Sequence, residues 1–448
     1  MMTPGQGRGP DEPRPKVVVV GSGFGGLNCA LRLARQPVDV TVVDRDNYNG
    51  FWPLLYQVAT GGLGPDDIAR PVRALYSRRD SVTPRMGTVS GVDLEQRLVH
   101  LEGQPDLPYD YLVLAAGSST TDFGIPGVGE HCFALKTLGD AIRLRNHLLR
   151  TWEQADAGVA AGNGAADNGA ALTVLLVGGG PTGVELAGAI SELMSVNLAR
   201  DYRHLDAKQA RVVLVEMTDH LLGGFKPRLQ RHALQTLKAK GVDVRFGAKL
   251  ASASAAGVRF ADGSTIDAAT VIWTAGVAAN ALADELTVPK ARGGTVEVRP
   301  DLSVPSHPEV FVVGDLAAAF GRHGQQLPQV AQVAIQGGRH AAKQISRLQN
   351  GQPTRPFHYH DHGIMATIGR RDAVAQLPGG PTLTGTIGWL AWLVVHIFFL
   401  IGFRNRAVVL VSWAYNYLTW DRSARVILDW EPRPPPPPVT TPGAPPAP

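Results

Sequence analysis

Apolar positions in this chain cluster into short continuous runs, and the first, KVVVV at 16–20, is what a strand buried on both faces of a parallel sheet requires. It ends in glycines, gives way to a helically periodic segment at 27–35, and is followed by a second strand at 38–43 that closes on Asp44. Strand, helix and strand in that order make a βαβ unit. The succession returns at LTVLLV from position 172, with a glycine turn, a helix to about Leu198 and a strand at 212–215 that closes on Glu216. Further buried strands are predicted at 111–115, running into Gly117, and at 310–313, running into Gly314 and Asp315. Apart from Val159, residues 155–170 are all Ala, Gly, Asn or Asp and read as an exposed loop.

The pattern changes near the C-terminus. IGWLAWLVVHIFFLIGF at 387–403 holds 17 residues without an acid, Lys or Arg, then come Arg404, Asn405 and Arg406, then a second apolar stretch rich in Trp and Tyr. A transmembrane span takes about 20 residues. Two amphipathic helices lying in a membrane interface are therefore predicted, with Trp389, Trp392, Phe398, Phe399 and Trp413 among the headgroups and Arg404 and Arg406 meeting anionic lipid. The polar leader before residue 16 and the tail from 432, with five prolines in a row at 434–438, are expected to be disordered.

Composition narrows the chemistry. With 448 residues, two or three domains are expected, and a net charge of +4 without a long basic run argues against a nucleic-acid partner. Two cysteines, Cys29 and Cys132, cannot build a disulfide framework, a CxxC redox pair or a zinc cluster, which fits a reducing cytoplasm. Cys29 falls in an apolar helical run and reads as a small buried hydrophobe. No metal site is expected.

Both βαβ units carry a glycine fingerprint. In the first, Gly21, Gly23 and Gly26 are spaced GxGxxG between strand and helix: the first glycine allows the tight turn, the second lets a diphosphate approach the backbone, and the third lets helix and strand pack closely. Phe24 and Gly25 within the loop, and Asp44 with its neighbour Arg45, belong to the same cradle. Asp44 is suited to a ribose hydroxyl. In the second unit Gly178, Gly180 and Gly183 repeat the spacing, Pro181 and Thr182 open the helix, and Glu216 is the acid. A carboxylate there, followed by Met217 and Thr218 with no Arg, favours NADH over NADPH. Two dinucleotide cradles in one chain imply electron transfer between two cofactors, FAD in the first and NADH in the second.

At this point the residues resemble the type II, single-subunit and non-pumping, NADH dehydrogenases among the two-dinucleotide flavoproteins, over about residues 16–425. The shared segments are the two fingerprints, YDYLVLAAGS at 109–118, WTAG at 273–276, VFVVGDLA at 310–317, NYNGFWPLLYQVATG at 47–61, LPQVAQVAIQGG at 327–338, HGIMATIGRRDAVA at 362–375 and HIFFLIGFRNR at 396–406. The resemblance implies an α/β fold with two Rossmann-like domains, the NADH domain (131–289) inserted in an FAD domain (16–130 and 290–386), and a membrane-associated helical region at 387–431. It implies FAD contacts at Ala116, Gly117, Gly314, Asp315, Ala331 and Gln332, and NADH contacts at Ala275 and Gly276. Glu185 is implied to lie near nicotinamide and flavin, orienting the cofactor or relaying protons; a plain helix-dipole acid is the alternative. Gln332 and Gln336, four apart on one helical face, offer uncharged donors to quinone carbonyls, or else brace the helix beside the flavin.

The activity so implied is NADH:quinone oxidoreduction in a respiratory chain, on the cytoplasmic face of the cell membrane as a peripheral or monotopic protein. A homodimer is expected, because exposed apolar helices often pair. A sulfide:quinone oxidoreductase shares fold and quinone, but its chemistry wants redox cysteines that two cysteines cannot furnish. A ferredoxin or rubredoxin reductase has no need of the aromatic C-terminal region.

Overall fold

The computed structural model of the chain describes residues 13–160, 168–202, 204–322, 324–419, 422 and 424–428. The leader, save residues 13–15, and the proline-rich tail lie outside them. In chain order the elements that matter are β1 (Lys16–Val20), α1 (Phe24–Leu33), β2 (Asp39–Asp44), α2 (Leu55–Ala59), β3 (Val82–Met86), β4 (Tyr111–Leu114), β5 (Phe133–Ala134) and α3 (Leu138–Ala160). There follow β6 (Thr173–Val177), α4 (Pro181–Glu192), β7 (Arg211–Val215), α5 (Pro227–Ala239), β8 (Val242–Arg245) and β9 (Thr270–Trp273). The last group is β10 (His307–Val312), α6 (Ala331–Gln349), β11 (Ile364–Thr367), β12 (Ala373–Gln376), β13 (Thr382–Thr384), α7 (Gly385–Phe399) and α8 (Phe403–Thr419).

Two sheets result. In the first, β10, β4, β1, β2 and β3 lie side by side and parallel, with a short antiparallel strand, Ser303–Val304, on the β10 edge. In the second, β5, β9, β6, β7 and β8 are all parallel. After their first residues, Lys16 and Thr173, the central strands are apolar because both faces are covered: four of the five residues of β1 and all five of β6 are buried. Helices α1 and α6 cover one face of the first sheet in close contact, since a Cβ on Gly338 would stand 2.0 Å from the Gly25 carbonyl oxygen. That approach brings the N-terminus of α6 to the first glycine loop. Cys29 is completely buried in α1, as its apolar setting implies, and burial pushes its thiol up to about 12.

The three-stranded antiparallel sheet β11–β12–β13, which the sequence reading places in the FAD domain, packs on the second unit, where His232 of α5 meets Asp372 at 2.8 Å. Helices α7 and α8 follow it. Among the described residues no helix is long and apolar enough to cross a membrane.

Two expectations are corrected. Residues 155–160 complete α3, and 168–171 form a further short helical turn, while 161–167 lie outside the described residues. Alanine has the strongest helix propensity, so the run continues the helix that precedes it. Trp389, Trp392 and Trp413 face the protein interior, not headgroups. Trp392 is fully buried and Trp413 is 3% exposed, with its indole N–H donating to Gln57 Oε1 at 2.7 Å. Phe398 and Phe399 stay exposed on the outer face, together with Ile387, Leu390 and Val394. Arg404 and Arg406 are both exposed, and Arg406 also donates to the Leu400 and Phe398 carbonyls at 2.7 Å each, closing the end of α7.

Candidate active site

The two glycine loops fold alike because the same constraints act on each. Gly21 has φ +96° and Gly178 has φ +115°, values that side-chain-bearing residues rarely adopt. A Cβ on Gly26 would stand 1.8 Å from the Gly21 carbonyl oxygen, and one on Gly183 would stand 1.9 Å from that of Gly178. Nothing lies within 4 Å of a Cβ position on Gly23 or Gly180, so both loops open outward at the residue meant to receive a diphosphate. Those two glycines are also the N-caps of α1 and α4, and neither helix start has a side-chain cap. Unpaired N–H groups at such a start favour an anion.

Each carboxylate sits under its loop in the same manner. Asp44 Oδ2 accepts from Ser22 N at 2.5 Å and Oδ1 from Asp46 N at 2.9 Å; Glu216 Oε2 accepts from Gly179 N at 2.6 Å and Oε1 from Thr218 N at 2.8 Å. A carboxylate has about four acceptor positions, so both keep capacity for ribose hydroxyls. Burial pushes the Asp44 carboxyl up, against the pull of those two amides.

One cavity of about 1450 Å³ starts in the first cradle. Gly21, Gly23, Phe24, Gly25, Asp44, Arg45, Ala116, Gly117, Gly314, Asp315, Ala331 and Gln332 all line it. It passes Pro181, Thr182 and Glu185 at the start of α4 and ends against Val395, His396 and Phe399 of α7. The remaining expected NADH residues, Gly178, Gly180, Gly183, Glu216, Ala275 and Gly276, lie off this cavity; Ala275 packs under Gly178, whose Cβ would stand 2.9 Å from it. The fit to FAD is good: an open, uncapped helix start for the diphosphate, a carboxylate for the ribose and an elongated chamber beyond.

Asp315 is held more elaborately than its sequence position suggested. Ser118 donates to its Oδ2 at 2.7 Å, Lys136 Nζ donates to Ser118 Oγ at 2.7 Å, and the Lys136 ammonium stands 3.7 Å from the carboxylate. Sequence reasoning missed Lys136, which carries no motif.

Glu185 touches the cavity but is otherwise enclosed by protein. Burial pushes its carboxyl up to about 8, partly offset by Thr367 N, which donates to Oε1 at 3.2 Å. The Trp392 indole N–H lies beside the carboxyl and also lowers its pKa, without making a hydrogen bond of ordinary geometry. At neutral pH Glu185 is therefore mainly protonated.

The two glutamines do share a face of α6, and each amide pairs with main chain. Gln332 Nε2 donates to Gly363 O at 2.8 Å while its Oε1 accepts from His362 N at 2.9 Å; Gln336 does the same with His360 O at 2.8 Å and His360 N at 3.0 Å. Both brace the 360–363 segment, and Gln336 does not line the cavity. Each Nε2 makes one of these bonds and keeps a second N–H, and of the two side chains Gln332 lines the cavity.

Comparison with known proteins gives the family and the fold. Residues 15–338 match the pyridine nucleotide-disulphide oxidoreductase family, and residues 362–420 match the NDH2 C-terminal domain. The chain is 39% identical over 430 residues to a type II NADH:quinone oxidoreductase of Mycobacterium tuberculosis, covering 93% of this chain and 91% of that one. A second type II enzyme of the same organism is 38% identical over 421 residues, covering 90% and 87%. Among solved structures, NDH2 from Plasmodium falciparum in complex with NADH superposes with a TM-score of 0.83 at 19% identity, covering 93% of this chain and all of that one.

Proposed function

The chain belongs to the pyridine nucleotide-disulphide oxidoreductase family and, within it, to the type II NADH:quinone oxidoreductases, and on that premise we propose how its residues perform the reaction. The net change is NADH + H⁺ + quinone → NAD⁺ + quinol, with no proton pumped. FAD, when bound, supplies chemistry the side chains lack, accepting hydride from nicotinamide and releasing two electrons to quinone.

The observation that carries the reading is the single cavity joining the first glycine loop to α7 by way of Glu185. In this reading the open amides at Gly23, Phe24 and Gly25 bind the FAD diphosphate, Asp44 binds a ribose, and Asp315, held by Ser118 and Lys136, faces the flavin's polyol chain. The second loop, with Pro181, Thr182 and Glu216, grips NADH so that its nicotinamide enters beside Glu185. The protonated Glu185 carboxyl gives one proton to the reducing quinone and regains it from water. Gln332 and Gln336 are positioning residues that hold the wall at 360–363, a narrower role than direct quinone binding.

The outer stripe of Ile387, Leu390, Val394 and Phe398 on α7 then lies in the membrane interface, and the quinone enters beside Phe399 without crossing water. NADH is an intracellular reductant, which points to the cytoplasmic leaflet. The expected homodimer is part of the same proposal, any apolar area not covered by lipid being available to a second copy. Anaerobic stopped-flow tests the function: NADH should bleach flavin absorbance within a turnover, and added quinone should restore it. Flavin that NADH leaves oxidised contradicts the reading.

A further inference from the structure

His396 lies on α7 at the far end of the cavity, with Val395 and Phe399 beside it. Its ring stacks on Trp392, with centroids 4.0 Å apart and planes at 23°, and meets Phe51 edge-on at 6.1 Å. Nδ1 is 2.8 Å from the Trp392 carbonyl oxygen. A carbonyl only accepts, so Nδ1 carries the hydrogen and Nε2 is left as a bare lone pair. Nε2 has no hydrogen-bond partner among the described residues. Burial holds the ring down to about 4, so at neutral pH no second proton converts Nε2 into a donor.

Between the apolar Val395 and Phe399, Nε2 is a polar atom able to accept and unable to donate. A quinone offers two carbonyl acceptors and no donor, whereas the quinol offers two hydroxyl donors. We propose that His396 Nε2 accepts the hydroxyl of the reduced quinone, so that the outer arm of the cavity holds quinol more tightly than quinone. The inference rests on the reading that quinone occupies this arm. Opposite a carbonyl, Nε2 meets another acceptor and stays unsatisfied; opposite a hydroxyl, it gains a hydrogen bond. One neutral hydrogen bond corresponds to roughly a fivefold to tenfold difference in affinity. A tenfold preference raises the potential of the bound two-electron couple by about 30 mV, which favours electron arrival.

The test is equilibrium binding to the oxidised, flavin-loaded protein without NADH. A short-chain quinone and its quinol are each titrated under argon, with binding read from tryptophan fluorescence and flavin absorbance followed to show that it stays oxidised. Wild type should bind the quinol fivefold to tenfold more tightly. His396→Phe keeps a flat ring on Trp392 and removes the nitrogen; it should bind both forms equally, with the quinone Kd within about twofold of wild type. A merely structural role for His396 would weaken both forms together. His396→Gln, whose amide both donates and accepts, should also abolish the preference and serves if the Phe variant loses its flavin. Quinone binding without a redox preference in wild type, or a preference that survives both substitutions, overturns the inference alone. Failure of wild type to bind either form overturns the placement of quinone as well.

Discussion

Glu185 shows what a single residue's surroundings add to its identity. The motif located it after the second glycine loop; its protonation follows from enclosure by Thr367 and Trp392, which come from segments some two hundred positions away. A carboxyl raised from 4.5 to about 8 binds its proton in the folded state and loses it in the unfolded one between those two values. Folding stability therefore declines as pH rises through that window, by at most about 1.4 kcal/mol per pH unit, and by less where the cavity admits water. Glu185→Gln should remove this decline, so denaturant unfolding at pH 5 and pH 8 should show wild type losing stability relative to the variant. Parallel behaviour of the two proteins would mean that Glu185 is ionised throughout. The glutamines teach a related lesson: the i,i+4 spacing put Gln332 and Gln336 on one face correctly, but what that face meets, the main chain at 360–363, is a long-range fact that spacing does not encode.

Among elements, the two βαβ units were legible because strands covered on both faces must be apolar throughout and a GxGxxG turn admits few substitutes. α7 was legible as a helix, but its orientation was not. Trp389, Trp392 and His396 recur on one side, and Ile387, Leu390, Val394 and Phe398 on the other; both sides are apolar, so periodicity cannot separate the core from the outer face. The indoles turn inward because α2 and the surrounding core receive them. Deleting both helices would strip Trp392 and Trp413 from that core, and losing a buried Trp typically costs about 3–5 kcal/mol. A sharper test leaves the core alone. Val394 is 69% exposed, Phe398 67% and Leu418 83%. A triple variant, Val394→Glu, Phe398→Glu and Leu418→Glu, should keep its flavin and its unfolding midpoint within a few degrees while failing to sediment with anionic lipid vesicles. A variant that still sediments would put the membrane contact on another surface.

Across the whole molecule, the C-terminal segment returns from the helical region to the second unit. Arg422 donates to the Thr60 and Ala189 carbonyls at 3.2 and 3.1 Å and lies 3.3 Å from Glu192, while Asn146 exchanges two hydrogen bonds with the Leu428 main chain. The outer helices are thus tied to both dinucleotide units, and the cavity wall they form is fixed relative to the glycine loops. Nothing in the local sequence announces these ties, because each partner is ordinary where it stands. In the proposed function, one cavity brings flavin, nicotinamide and quinone together. The most direct measurement is a crystal structure of the flavin-loaded protein soaked with NADH and a short-chain quinone. Flavin is expected along the first glycine loop, nicotinamide against it beside Glu185, and quinone between the flavin and His396. Quinone density on another face, or a nicotinamide too far from the flavin for hydride to pass, would contradict it.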